Sequence, residues 1–291
     1  MKHRNLLMVL TILLCSCGRF GNNEKESTKD TRIVCVSKQL TEMLFALGKG
    51  HDIVAVDLSS TYPDSAKLLP TVGYHRMLSA EGIISMKPDL VMHSNDVGPE
   101  NVLPQLMKAG VNVKAFTGGS TIDSAKLLLV QLGKLFGSED KADLCNKKLD
   151  ADLQKVYTAE KHITDSPGVM IIHFGRANNV YFVMSGRGGV ADRMIRMAGG
   201  RPVKYDAKGA RELSAESVAT ANPDVIIATD YGFDKMGSAD KFKSVAGVGL
   251  TTAAKNNRIY RFEEHDIIYF GPRTAENILK LMKLIHPDVT Q

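Results

Sequence analysis

Leu78-Ser79-Ala80-Glu81, followed shortly by Pro88-Asp89-Leu90-Val91, recurs as Leu213-Ser214-Ala215-Glu216 and Pro223-Asp224-Val225-Ile226, 135 positions further along the chain. In each copy a serine suited to cap a helix stands just before a glutamate that suits the helix's positive end. A Pro-Asp pair then leads into an apolar run of strand character. Two further echoes keep the same order. The apolar run at 33–37 returns at 169–173, displaced by 136. Thr41-Glu42-Met43-Leu44 with Leu47-Gly48 is answered by Ala191-Asp192-Arg193-Met194 with Met197-Ala198-Gly199, displaced by 150, the extra residues falling in an insertion at 175–189. Three matches in one order imply duplicated α/β lobes. Two such lobes facing each other create a cleft at the ends of their strands, where ligands bind.

Working outward, Ile33-Val34-Cys35-Val36 reads as a parallel strand covered on both faces. Leu40, Met43, Leu44 and Leu47 follow at helical spacing and are stopped by Gly48. Strands at 52–56, 90–93 and 111–116 alternate with helices beginning at Ser79 and near Asn101, so the first lobe is α/β with a parallel sheet. The stretch 59–72 reads as loop and delivers Tyr74. Residues 121–163 are helical in pattern. Their second part, 138–163, starts well at Ser138-Glu139-Asp140 and carries Ala142, Cys145, Leu149, Leu153 and Val156 on one face. Some 25 residues at ~1.5 Å each make a rod of roughly 38 Å, long enough to brace two lobes. The expected division is a signal at 1–16, a tether at 17–30, one lobe at 31–137, an interlobe helix at 138–164 and a second lobe at 165–291.

The chain begins Met1-Lys2-His3-Arg4, runs apolar from Leu6 to Leu14 and reaches Cys15-Ser16-Cys17-Gly18. A basic start, an apolar segment too short to span a bilayer and small residues at its end read as an export signal. Leu14-Cys15-Ser16-Cys17 resembles a lipobox, with Cys17 as the lipidated residue, and the polar stretch 19–30 suits a solvated tether. Without Lys2 and Arg4 the 37 basic residues fall to 35 against 32 acidic ones, and no basic block with interleaved aromatics points to nucleic acid. Cys35 and Cys145 remain in the body of the chain. Their spacing marks no metal site, and buried thiols or a disulfide are both open.

The chemistry concentrates in Gly73-Tyr74-His75-Arg76. A phenol with an ordinary pKa of roughly 10 is a poor ligand at neutral pH. Ferric iron and a nearby guanidinium both favour the phenolate, and tyrosine is one of the axial ligands that proteins offer to haem iron. His173, at the end of the first strand of the second lobe, opens onto the expected cleft and could supply a second contact. His93 ends a strand of the first lobe.

With its lipobox, two α/β lobes and bracing helix, the sequence resembles substrate-binding lipoproteins of ABC importers, of the helix-hinged type (class III periplasmic binding proteins) that serves cobalamin, siderophores and haem. Gly73-Tyr74-His75-Arg76-Met77-Leu78-Ser79-Ala80-Glu81-Gly82 is similar to the haem-binding branch, which usually reads Gly-Tyr-Met-Arg and then Leu-Ser-Ala-Glu-Gly. Ser60-Thr61-Tyr62-Pro63, Val97-Gly98-Pro99, Ala198-Gly199-Gly200 and Phe270-Gly271-Pro272-Arg273-Thr274 extend the likeness. The resemblance implies Tyr74 as the axial ligand of a transported haem b, Arg76 as its support, and Glu81 and Glu216 as the acidic residues that dock on the permease. His75 stands where the branch commonly has Met and so puts a second potential haem contact beside Tyr74, but neighbouring side chains rarely point to one atom and Tyr74 is the expected ligand. Tyr231 stands where it often has Arg, at a position for a haem propionate, with Arg176 or Arg187 of the insertion as substitutes. The implied protein is a non-enzymatic, monomeric, lipid-anchored receptor on the extracytoplasmic face of a bacterial membrane, serving an ABC permease and its ATPase. A corrinoid or ferric siderophore is the alternative cargo. An exported tetrapyrrole-modifying enzyme is the alternative of another class, although the sequence displays no nucleophile–base pair for it.

Overall fold

A computed structural model describes residues 31–175, 179–205 and 213–288. The export signal, the tether with Cys17, and Arg176 lie outside these residues. Among the described residues no helix is long and apolar enough to cross a membrane.

The first lobe runs β1 (Ile33–Val36), α1 (Lys38–Ala46), β2 (Ile53–Val56), α2 (Ala80–Ser85), β3 (Leu90–His93), α3 (Val102–Lys108), β4 (Asn112–Ala115) and α4 (Ile122–Phe136). Its four strands are parallel and ordered β2-β1-β3-β4. Next comes α5 (Glu139–Glu160), 22 residues or about 33 Å long. The second lobe continues with β5 (Gly168–Gly175), β6 (Val180–Val183), α6 (Val190–Met197), β7 (Arg201–Pro202), α7 (Ala215–Ala221) and β8 (Val225–Thr229). It ends with α8 (Asp230–Met236), α9 (Ala239–Phe242), α10 (Thr252–Lys255), β9 (Ile259–Phe262) and α11 (Thr274–Ile285).

In the second sheet β5 pairs in parallel with β7 on one side and β8 on the other, and β8 pairs with β9. The order β7-β5-β8-β9 thus repeats β2-β1-β3-β4, as the sequence echo predicts. The capping serines match as well. Ser79 accepts from the Gly82 amide at φ −111°, ψ 130°, and Ser214 accepts from Ser217 at φ −108°, ψ 130°. The second sheet keeps this parallel frame and carries one antiparallel addition. The insertion at 175–189 turns back as β6, which pairs antiparallel with the long C-terminal half of β5. Val180-Tyr181-Phe182-Val183 had the β-branched and aromatic composition for this, in a stretch read only as an insertion.

Alternating side chains of each sheet serve different cores. Ile33 and Cys35 of β1 join Val169 and Ile171 of β5 in one apolar core that also holds Leu149, Leu153 and Val156 of α5. Val34 and Val36 face a second core within the first lobe, and Met170 and Ile172 face a third within the second. The two sheets therefore share a single apolar layer, through which α5 runs between α4 and α11. Hinge motion of the lobes would expose that layer to water, at a cost of roughly 25 cal/mol for every Å² opened. Gly137, at φ +59°, ends α4 so that α5 can turn back on it. Cys35 and Cys145 are free thiols, and burial pushes Cys35 up to about 12.

A cleft between the strand ends of one lobe and a hairpin of the other

A cleft of about 960 Å³ lies where the C-terminal ends of β1, β2, β3 and β4 face the β5–β6 hairpin. That volume is at the upper end of the roughly 300–1,000 Å³ usual for small-molecule sites. The first lobe contributes a mostly polar wall: Ser37 to Gln39 after β1, Leu58 and Ser59 after β2, Ser94 to Asp96 after β3, and Gly118 to Ser120 before α4. The second lobe contributes an apolar wall of Val180, Phe182, Met184 and Val190, and Ile268 adds to it from the segment after β9.

Tyr74 and Arg76 project from the loop between β2 and α2. Gly73, at φ +100°, takes a backbone conformation open to glycine, and its carbonyl accepts from Leu58 N at 2.8 Å. Met77 N donates to Tyr74 O at 2.7 Å, closing a turn that displays residues 75 and 76. The neighbouring loop clips this turn: Gly98 N donates to His75 O and Leu78 N donates to Gly98 O, each at 2.9 Å. The Tyr62-Pro63 and Gly98-Pro99 peptide bonds are both cis.

Tyr74 is half-buried. Burial pushes its phenol above the ordinary value. The Arg76 guanidinium pulls the other way, while the carboxylates of Glu264, Asp96 and Asp57 add to the rise. The phenol is therefore protonated at neutral pH, and a cationic ligand beside it favours the phenolate. Arg76 is well exposed, with Nη2 3.5 Å from Asp96 Oδ2.

His75 is buried, with Nδ1 3.4 Å from Asp57 Oδ2 and Nε2 3.3 Å from Asp96 Oδ2. Burial alone would lower its pKa, but the two carboxylates outweigh that and raise it. Asp57 is itself buried and accepts from Ser59 and Ser60. Burial pushes its carboxyl up, yet His75 and the two serines hold it below the usual range.

His173 lines the cleft from the second lobe, with Nδ1 3.0 Å from Thr229 Oγ1 and its ring edge-on to Phe182. Tyr231 is half exposed in the first turn of α8 and packs on Phe174. Neither Tyr231 nor exposed Arg187 is among the residues that line the cleft. His93 is buried, with Nδ1 2.7 Å from the Ser94 carbonyl oxygen, outside the lining. The cleft cation that sequence reasoning missed is Lys38, in the first turn of α1, paired with Glu264 at 2.9 Å across the cleft floor. Asp57 and Asp96 were missed too, although each follows an apolar strand at the end where this fold opens.

Two α/β lobes on a shared core, with a ligand-sized cleft at their strand ends, define a binding protein whose cargo sits between the lobes. The chain belongs to the periplasmic binding protein family, whose sequence profile matches residues 33–265. An uncharacterized ABC transporter substrate-binding lipoprotein, YvrC of Bacillus subtilis, is 27% identical over 263 residues, 88% of this chain and 80% of that protein. A vitamin B12-binding protein of Yersinia pestis is also 27% identical, over 67% of this chain and 68% of its own length. Among solved structures, the periplasmic heme-binding protein RhuT of Roseiflexus sp. RS-1, in apo form, superposes with a TM-score of 0.78 at 31% identity. That match covers 90% of this chain and all of RhuT.

Proposed function

We propose that this protein is the substrate-binding component of an ABC importer that captures haem b in the interlobe cleft and delivers it to the permease. The observation that carries this reading is the Tyr74 phenol on a tightly clipped turn, beside a guanidinium and facing an apolar wall. A porphyrin needs both kinds of surface: a hard anionic donor for ferric iron and an apolar face for the ring. Val180, Phe182, Met184 and Ile268 supply the second. Lys38 and Arg76 are the lysine and arginine of the cleft lining, and propionates would compete with Glu264 and Asp96 for them. The likeness to RhuT, a periplasmic heme-binding protein, supports the same cargo. As a receptor the protein makes and breaks no covalent bonds. Cys17 carries the lipid anchor, and the folded body stands on the extracytoplasmic face of the membrane as a monomer.

Titration of the purified protein with hemin tests the reading. The expected result is saturable binding with a high-spin ferric spectrum of the phenolate-bound type. A corrinoid is the second reading, favoured by the vitamin B12-binding relative. Cyanocobalamin that raises the melting temperature while hemin leaves the spectrum unperturbed would select it.

Delivery is assigned to Glu81 and Glu216. Both are exposed in the first turn of a helix, after serine caps of the same backbone conformation, one on each lobe. The Ser79 hydroxyl donates to Glu81 and holds its carboxyl below the usual range, so the charge persists at any physiological pH. Paired acids of this kind steer encounter with a basic partner and set its register. Charge reversal at both, Glu81→Lys with Glu216→Lys, is expected to leave hemin affinity unchanged. Haem-dependent stimulation of the transporter's ATPase should fall on the order of tenfold or more.

A further inference from the structure

We infer that His75 is a positioning residue that fastens the Tyr74 turn to two strand ends, and that its imidazole is no ligand to the iron. The inference rests on the reading of Tyr74 as the iron-binding group. The geometry around the ring carries it. Each ring nitrogen faces a carboxylate oxygen, Nδ1 that of Asp57 at 3.4 Å and Nε2 that of Asp96 at 3.3 Å. Ser59 Oγ also lies 3.4 Å from Nδ1, so both ring nitrogens are turned to side chains of the first lobe.

The two carboxylates come from different elements. Asp57 follows β2 and is held by Ser59 and Ser60. Asp96 follows β3, where Ser94 Oγ donates to it at 2.7 Å. His75 thus ties together the loops after β2 and β3, and the turn that bears Tyr74 lies over that tie. Backbone bonds run along the same line: Leu58 N to Gly73 O on one side, Gly98 N to His75 O on the other. The Tyr74 ring leans on the imidazole, with centroids 4.3 Å apart. Asp96 also reaches Arg76, so a single carboxylate contacts both residues that follow Tyr74 on the turn. A methionine at 75 could fill the space but could not bond to either acid.

The test uses His75→Met, His75→Gln and Asp96→Asn in the otherwise intact protein, with two readouts. In the absence of haem, amide hydrogen exchange at Met77, Leu78 and Gly98 should quicken in His75→Met and Asp96→Asn, and less in His75→Gln, which keeps one donor. With hemin, His75→Met should retain the wild-type ferric spectrum and coordination while its affinity falls by about tenfold or more, the range typical of groups that orient a metal ligand. A change of axial-ligand signature in His75→Met would overturn the inference by making His75 a ligand. Exchange and affinity both unchanged would overturn it by removing the positioning role. Wild-type protein that fails to bind hemin at all refutes the haem reading, and the exchange measurement still decides whether His75 fastens the turn.

Discussion

Replacing Tyr74 by alanine is expected to weaken ferric-haem binding on the order of 100-fold, about 2.8 kcal/mol, and to abolish the phenolate charge-transfer band. Tyr74→Phe should lose as much, because the ring remains and only the donor oxygen goes. The comparison separates ligation from packing: Phe that binds hemin like wild type would mean the iron is held by another group. The pH dependence follows from the electrostatics around the phenol. Burial and the nearby carboxylates raise the phenol's pKa more than Arg76 lowers it, so on the proposed ligation by Tyr74 hemin binding is expected to release a proton. Affinity should therefore rise with pH through the neutral range, by up to about tenfold per unit for one proton released. Tyr74→Phe should lose that slope. Arg76→Ala should steepen the proton's hold on the phenol and weaken binding at neutral pH less than loss of the phenol does.

The duplicated framework was legible because it depends on local signals repeated at a fixed offset. Ser79 and Ser214, 135 residues apart, take the same cap geometry, and the sheet orders coincide. Tyr74 was legible through its neighbours on the chain. What stayed hidden depends on contacts between distant segments. Asp57 and Asp96 read as ordinary acids after strands, and only the return of the 73–78 loop brings His75 between them. Lys38 looked like any helix-start residue until the segment after β9 brought Glu264 to it. The hairpin at 175–183 was hidden for another reason. Its second strand lies in a stretch with no counterpart in the first lobe, so the repeat that revealed everything else carried no information there.

The largest effect on stability is expected at Arg273, in a buried polar cluster where the second lobe crosses back onto the first. Glu42 sits inside α1, 3% exposed, and accepts from Arg273 Nε at 2.9 Å, Arg273 Nη2 at 3.1 Å and Tyr269 Oη at 2.6 Å. Burial and the Glu42 carboxylate hold the Tyr269 phenol well above its ordinary value, so it remains a donor. Arg273 also donates to Asp266 at 2.6 Å, and its guanidinium lies 3.4 Å from the centre of the Tyr62 ring. Gln39, about one helical turn before Glu42, donates to Phe270 O at 2.7 Å from the same side of α1. Removing Arg273 alone, as Arg273→Met, strands a buried carboxylate and should cost about 3–5 kcal/mol. For a chain of this size that is a melting-temperature drop of roughly 10 °C. The double change Glu42→Met with Arg273→Met removes the orphaned charge and should recover most of the loss, since well-packed apolar replacements of buried ion pairs are often neutral. Equal destabilisation in single and double variants would show that the cluster acts through shape rather than charge. Acid should act on the same cluster through Asp266. Burial pushes that carboxyl up, but His265, Arg273 and Lys280 outweigh it and hold it well below the usual range. A depressed folded-state pKa contributes stability above the unfolded value of 3.8, and that contribution is lost as pH falls further. The wild type should therefore lose melting temperature more steeply than Arg273→Met as pH drops below about 4, because the variant has already lost one of the charges that hold Asp266 ionised. A receptor whose lobes are fixed by this cluster and by a shared apolar core presents its cleft preformed, so that little of the binding energy is spent on closure.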